Sequence, residues 1–389
     1  MSKSFCSAPF VHMYLHKNQG PRACCIASNY DLADNKTETN LQQRWRGKYY
    51  QRIRQQLLDG KQPKECTKCY SLEAHGGESD RLYWNREYED TLKPDVVNGN
   101  QFNTPIDLDL RPGNLCNLKC RMCGPSASSQ IQKEIRKNKL VAEVYGPADI
   151  YEPVGLFEGE NLDFLLDNID RGKRIKFLGG EPTLMPEVET ILDRLIENGM
   201  THVPINFTTN LTNNTDRFVN KIRQFSNVHF NYSIDGTGKV VEYIRNPVKF
   251  KAINTNIKLY EEISYSSMIQ FTFQAYNFFN LYDMIKWAIS LDIGITIEQL
   301  DVPEFASVLC IPKTVRDKEL NRLKIILSNF EHPQLSAIID RLLDDEREYG
   351  LDEITRKTKL LDKARNEHIK DSIPELWKIL KGYYNATDI

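Results

Sequence analysis

Three thiols sit close together in Cys116-Asn-Leu-Lys-Cys120-Arg-Met-Cys123, in a loop that directly follows a predicted strand. Three thiolates can ligate three irons of a cubane cluster, which leaves the fourth iron an open position for an exogenous ligand. A zinc site with three cysteines and a borrowed fourth ligand has the same spacing. A second element is Gly179-Gly180-Glu181-Pro182, at the end of the next predicted strand. Two glycines let a ligand approach the backbone, and Glu181 offers a carboxylate to an ammonium group. Alone, this tetrapeptide is an ordinary strand-ending turn. On the strand beside the cysteine loop it reads as part of the same site.

Of the nine cysteines, all but Cys310 precede residue 124. Cys66-Thr-Lys-Cys69, with Cys6 and either Cys24 or Cys25, makes a second, four-thiolate set. A complete shell suits a cluster to electron transfer or structural duty, and four cysteines at this spacing also fit a zinc knuckle. Adjacent cysteines rarely both reach one metal, so Cys24 and Cys25 are alternatives. The isolated Cys310 reads as a small buried hydrophobe.

These residues need a scaffold, and residues 105–300 supply one through a strand-then-helix rhythm. Strands are expected at 106–110, 174–178, 203–208, 228–234, 268–276 and 293–300, with helices such as the one from Pro186 to Gly199, 216–224 and 281–290 between them. Six βα units are too few for a closed eight-stranded barrel. The expected fold is therefore α/β, a partial (β/α)6 TIM-like barrel with its chemistry at the C-terminal strand ends, a small N-terminal cysteine-rich domain (1–100) and a C-terminal helical segment (306–389) after the barrel (101–305). In the first segment, residues 9–16 alternate and Asn18-Gln19-Gly20 supplies a turn, which reads as a β-hairpin bringing Cys6 towards Cys24 and Cys25. A polar loop (29–40) and a helix (41–58) follow.

Composition narrows the class further. The chain has 389 residues, 40% hydrophobic and 27% charged, with a formal charge of −2, which exerts no global pull on nucleic acid or acidic lipid. The first residues lack the apolar core of a signal peptide and no apolar stretch reaches bilayer-spanning length, so a cytoplasmic protein without membrane partners is expected. Reduced cytosolic thiols favour metal ligation over disulfides. Arg44, Arg46, Lys48, Arg52 and Arg54, interleaved with Trp45, Tyr49 and Tyr50, read as a solvated helix face in preference to an RNA contact. His12 and His16 read as exposed.

A Cys-x3-Cys-x2-Cys loop after the first barrel strand, with Gly-Gly-Glu-Pro after the second, resembles the radical S-adenosylmethionine (radical SAM) superfamily over roughly residues 105–300. The resemblance implies a 4Fe-4S cluster on Cys116, Cys120 and Cys123, with S-adenosylmethionine chelating the open iron. It places Gly179, Gly180 and Glu181 near the methionyl end and Met122 against the adenine. Ser233 and Asp235 look like the pair used near the ribose, and Arg245 like the arginine near the ligand carboxylate; Thr209, Asn210 and Asn277 are weaker matches. The family's glycine-rich adenine-contact stretch is not recognisable. Cys6, Cys24 or Cys25, Cys66 and Cys69 resemble the SPASM/twitch auxiliary-cluster domain, implying a second 4Fe-4S cluster, although that domain normally follows the barrel.

The implied activity is that of an oxidoreductase or transferase that reductively cleaves S-adenosylmethionine to a 5′-deoxyadenosyl radical, which abstracts a substrate hydrogen. No general acid is assigned. Resemblance to auxiliary-cluster members implies a peptide or protein side chain as substrate, oxidised or cross-linked, and a flavodoxin or ferredoxin as reductant. The rivals are a nucleotide or RNA substrate, activation of a partner enzyme through a glycyl radical, and a non-catalytic zinc adaptor.

Overall fold

A computed structural model of the chain describes residues 3–17, 20–28, 40–74, 77–90, 104–147, 156–167, 169–171, 174–328 and 332–384. Asn18-Gln19 and nearly all of the expected polar loop lie outside them. The chain forms two compact units: Met1–Gly113 with Tyr151–Phe207 and Asn220–Val228, and Asn114–Ile150 with Thr208–Val219 and His229–Ile389.

In the first unit, strands β1 (His12–His16), β2 (Gly20–Arg22), β3 (Asp107–Arg111), β4 (Arg174–Phe177) and the start of β5 (Ile205–Thr209) follow the order β2-β1-β3-β4-β5. The period-2 pattern dictates their two faces. Met13, Leu15, Leu108, Leu110, Ile175, Phe177, Ile205 and Phe207 are buried, and the Phe177 and Phe207 rings stack at 5.1 Å. After β4, Pro186 opens the helix Pro186–Glu197, whose buried stripe is Val188, Ile191, Leu192 and Leu195. The expected hairpin is present, with β1 antiparallel to β2, but β1 also pairs in parallel with β3, His12 opposite Asp107 through His16 opposite Arg111. Alternation alone does not name a strand's partners.

The second unit continues with β6 (Val228–Ser233), β7 (Ser266–Phe273) and β8 (Gly294–Gln299), paired in parallel. The eight strands follow the order β2-β1-β3-β4-β5-β6-β7-β8 in an open α/β sheet, the partial-barrel class expected. The tail is helical, as its periodicity predicts, in Lys313–Ile326, Pro333–Asp344, Leu351–Arg365 and Pro374–Leu380. Cys310 is buried. Among the described residues no helix is long and apolar enough to cross a membrane.

Two local expectations are corrected. His12 is not exposed: it is buried with its Nδ1 2.6 Å from Asp107 Oδ1, and His16 is half-buried. The expected helix 41–58 breaks at Arg46-Gly47 into Leu41–Trp45 and Lys48–Leu58, and only part of its basic set faces solvent, Arg46 and Lys48 being exposed. Arg44 and Arg54 are buried, Arg54 donating to the Pro9 and Trp45 carbonyls with its guanidinium 4.3 Å from the Trp45 ring centroid. Arg52 pairs with Glu65 at 2.6 Å. Three of the five basic residues that motivated an RNA contact are thus engaged in packing or ion pairing.

Candidate functional site

Within the second unit, the cysteine loop is held by its own backbone. Lys119 N–H donates to the Asn246 carbonyl at 2.7 Å and Arg121 N–H to the Ile244 carbonyl at 2.8 Å. The Ser128 hydroxyl donates to the Leu118 carbonyl at 2.6 Å, and Cys116 N–H to the Ser129 hydroxyl at 3.2 Å. Cys116 and Cys120 are buried and Cys123 half-buried. Donors converge on sulfur: Leu118 N–H lies 3.4 Å from Cys116 Sγ, Asn210 Nδ2 3.8 Å from the same atom, and Arg245 Nη1 3.9 Å from Cys120 Sγ. A hydrogen bond from Cys123 lowers the Cys120 pKa against the cost of burial, and Arg245 lowers it further. Such donors stabilise electron-rich sulfur and tune the redox potential of a cluster it carries.

Asp235 and Arg245 form a unit behind this loop. Arg245 Nε donates to Asp235 Oδ2 at 2.7 Å, and Thr272 N–H donates to the other carboxylate oxygen at 2.9 Å. Asp235 is fully buried, so it positions Arg245. Ser233, the last residue of β6, and Met122 are half-buried. Asn277 is buried and structural: its amide donates to the Asp235 and Thr272 carbonyls, and its oxygen caps Gln274 N–H. Thr209 is buried, its hydroxyl accepting from Leu211 N–H at 3.1 Å.

Within the first unit, Gly179 has φ +116°, and a Cβ there would lie 2.6 Å from the Gly113 carbonyl oxygen. Only glycine fits, because both conformation and space exclude a side chain. Gly180 N–H donates to that same carbonyl at 3.1 Å. Glu181 is fully buried and caps the turn Pro182–Leu184, accepting from the Thr183 hydroxyl at 2.6 Å and from Thr183 N–H at 3.3 Å. The carboxylate read as an ammonium acceptor therefore also shapes the loop that follows β4.

Cys6, Cys24, Cys66 and Cys69 line one narrow cavity of the first unit, with Glu65, Asp80, Arg81 and Trp84 on its walls. Burial raises all four thiol pKa values, that of Cys66 to about 12. Buried thiols of this kind become thiolates when a metal compensates the charge. Arg81, which pairs with Glu73 and donates to the Phe5 carbonyl at 2.7 Å, fixes the cavity wall. Cys25 is not among the lining residues; it lies in electrostatic reach of Asp109, Lys176 and Arg111. Among the described residues no three His, Cys, Asp or Glu side chains converge on a single-ion site. Ligands to separate irons of a cubane stand further apart than ligands sharing one ion.

Sequence reasoning missed Arg121, the residue between Cys120 and Met122. It is fully buried and donates through Nη2 to Asp362 at 2.6 Å and Glu367 at 2.8 Å, and through Nε to the Tyr243 carbonyl at 3.1 Å. Its guanidinium lies 3.6 Å from the Tyr243 ring centroid. Arg365 ties the same helix end to Glu134 at 2.9 Å, and Lys119 reaches Glu134 at 3.1 Å. No local signal announces partners so distant in sequence.

With this geometry in view, comparison with known proteins finds that residues 110–272 match the model of the Radical SAM superfamily. No curated protein matches. Among solved structures, the chain is similar to Streptococcus suis SuiB bound to S-adenosylmethionine (13% identity, TM-score 0.42, 72% of this chain and 59% of that one). It is also similar to native anSMEcpe with bound AdoMet (16% identity, TM-score 0.42, 58% and 61%) and to Streptococcus suis SuiB bound to precursor peptide SuiA (13% identity, TM-score 0.39, 85% and 78%). The chain spans about three fifths of the first of these structures.

Proposed function

Because this chain carries a radical SAM superfamily domain over residues 110–272, we propose that it is a radical SAM enzyme that abstracts hydrogen from a peptide or protein side chain, which it oxidises or cross-links. The observation that carries the reading is the three-thiol loop with N–H and guanidinium donors aimed at its sulfurs. When bound, a 4Fe-4S cluster with S-adenosylmethionine on its open iron supplies the reductive cleavage of the sulfonium that leads to hydrogen abstraction.

The chain's own residues hold and orient these groups. Cys116, Cys120 and Cys123 are the iron ligands, and Arg245, paired with Asp235, sets the charge beside Cys120. Gly179 and Gly180 present bare backbone for the methionyl end, in a loop shaped by Glu181. Met122 and Ser233 are assigned to the adenosyl end. Cys6, Cys24, Cys66 and Cys69 hold the auxiliary cluster, whose four-cysteine shell suits electron transfer to or from the substrate, with a flavodoxin or ferredoxin as external reductant.

The test is iron, sulfide and zinc content with the visible spectrum of anaerobically purified protein, for wild type and Cys116→Ala/Cys120→Ala/Cys123→Ala. Two clusters predict about eight irons, of which the triple variant loses about half, together with 5′-deoxyadenosine release. A colourless, zinc-loaded wild type that stays so after reconstitution overturns the reading.

A further inference from the structure

Two cations flank Cys120 in the three-thiol loop, Lys119 before it and Arg121 after it, and each pairs with an acid outside the loop. Arg121 faces two carboxylates, Asp362 and Glu367, so that group carries an excess of negative charge. Arg245 and Asp235 balance one for one. The third group has the opposite sign. Glu134, on the helix Ser129–Lys137 that follows the loop, accepts from Lys119 at 3.1 Å and from Arg365 at 2.9 and 3.2 Å, so two cations share one carboxylate.

Within this group Arg365 is the buried charge. Its side chain is 1% exposed, against 27% for Lys119, and its Nη1 has no hydrogen-bond partner among the described residues. A guanidinium stays charged wherever it is placed. Arg365 ends the helix Leu351–Arg365, which packs on the helix Lys139–Tyr145. Tyr145 leads back to the loop, its hydroxyl donating to the Arg121 carbonyl at 3.1 Å, and both Tyr145 and Cys120 lie in electrostatic reach of Arg365.

A fixed cation in a low-dielectric site favours the state of its neighbour that carries more negative charge. A cluster on Cys116, Cys120 and Cys123 gains one negative charge with each electron it accepts, and the charge around a cluster is a lever on its potential. Resting on the reading of this loop as the iron ligand set, we propose that Arg365 is a positioning residue for the reductive step. The C-terminal helix holds its guanidinium near Cys120, where it favours the passage of one electron from the external flavodoxin or ferredoxin to the cluster. No bond forms or breaks in that transfer. Glu134 acts in the opposite sense, by partly neutralising the same charge.

The test is a redox titration followed by electron paramagnetic resonance on the full, reconstituted chain, read on the signal that S-adenosylmethionine perturbs, for wild type, Arg365→Gln, Arg365→Lys and Glu134→Gln. At a fixed potential, Arg365→Gln lowers the ratio of reduced to oxidised cluster about tenfold, a shift of about 59 mV for one electron. Arg365→Lys keeps the charge and stays within about threefold of wild type. Glu134→Gln raises the ratio. A purely structural ion pair moves Arg365→Gln and Glu134→Gln in the same direction, because both variants break the same contact. Shifts of one sign, or an Arg365→Gln ratio within about threefold of wild type, overturn the inference. Where Arg365→Gln fails to retain iron, Glu134→Gln decides, and a ratio at or below that of wild type overturns it. A reconstituted wild type whose signals do not respond to S-adenosylmethionine overturns the reading of the loop as a cluster site, and this inference with it; a responsive wild type with shifts of one sign removes the role of Arg365 alone.

Discussion

Replacing Arg121 by Met keeps the volume of a buried side chain and removes the charge that two carboxylates face. Breaking a buried ion pair from one side costs about 3 to 5 kcal/mol, because the partner is left uncompensated. Two features set the expectation at the lower end. Glu367 keeps a fifth of its side chain exposed and can turn to water, and Arg121 Nη1 has no hydrogen-bond partner among the described residues, so the native pair already bears part of the desolvation cost. Asp362 has no such exit. It is nearly buried, bonded at 2.6 Å to the Tyr243 hydroxyl and at 2.9 Å to Ile369 N–H. The expected loss is about 3 kcal/mol, which speeds amide exchange in the helix Leu351–Arg365 by roughly a hundredfold. Arg121→Met/Asp362→Leu recovers part of it, since an apolar pair replaces an ionic one while the Tyr243 hydroxyl and Ile369 N–H lose their acceptor. Hydrogen exchange by mass spectrometry resolves both effects. An exchange rate within about fivefold of wild type, or a double variant no better than the product of the singles, refutes the reasoning.

Cys24→Ser removes about half of the iron and Cys25→Ser leaves it in place, by metal analysis, because only Cys24 lines the four-cysteine cavity; the reverse result exchanges their roles. Gly179→Ala costs about 2 kcal/mol or more in urea unfolding, since φ +116° strains any side chain, while Gly382→Ala, with no heavy atom within 4 Å, stays within about 0.5 kcal/mol. His16 sets an acid limit. Its folded pKa of about 4 lies below the unfolded 6.5, so the unfolded chain takes up more protons between those values. Stability is unaffected above about pH 6.5 and falls by roughly 1 to 2 kcal/mol as pH drops towards 4, the full shift being discounted for the exposed part of the ring. His16→Asn loses that portion of the pH dependence of the urea midpoint.

The barrel strands were legible because alternation such as Ile106-Asp107-Leu108-Asp109-Leu110 states both the strand and its buried face, and the helix Leu281–Ser290 because its apolar stripe is regular. The close backbone approach at Gly179 was legible because only glycine fits there, and the cysteine loop, proposed above as the cluster site, stood out because thiols at that spacing restrict the chemistry. What escaped depends on partners distant in sequence. His12 reads as polar and exposed until the parallel register sets Asp107 beside it. Arg44 and Arg54 look like a solvated stripe because helical periodicity marks a face without saying what covers it. Arg121 lies between two of the cysteines proposed as ligands, and its role lies in carboxylates at 362 and 367. The choice between Cys24 and Cys25 turns on which way two neighbours point, a matter of tertiary packing.

The lock on Arg121 also has a place in time. A chain leaves the ribosome from its N-terminus, and Asp362 and Glu367 follow Arg121 by 241 and 246 residues. At about 5 to 20 residues per second, the loop with Cys120 and Cys123 emerges some 12 to 50 seconds before the acids that clamp it. During synthesis the loop is therefore unfastened until a segment made some 241 to 246 residues later closes it.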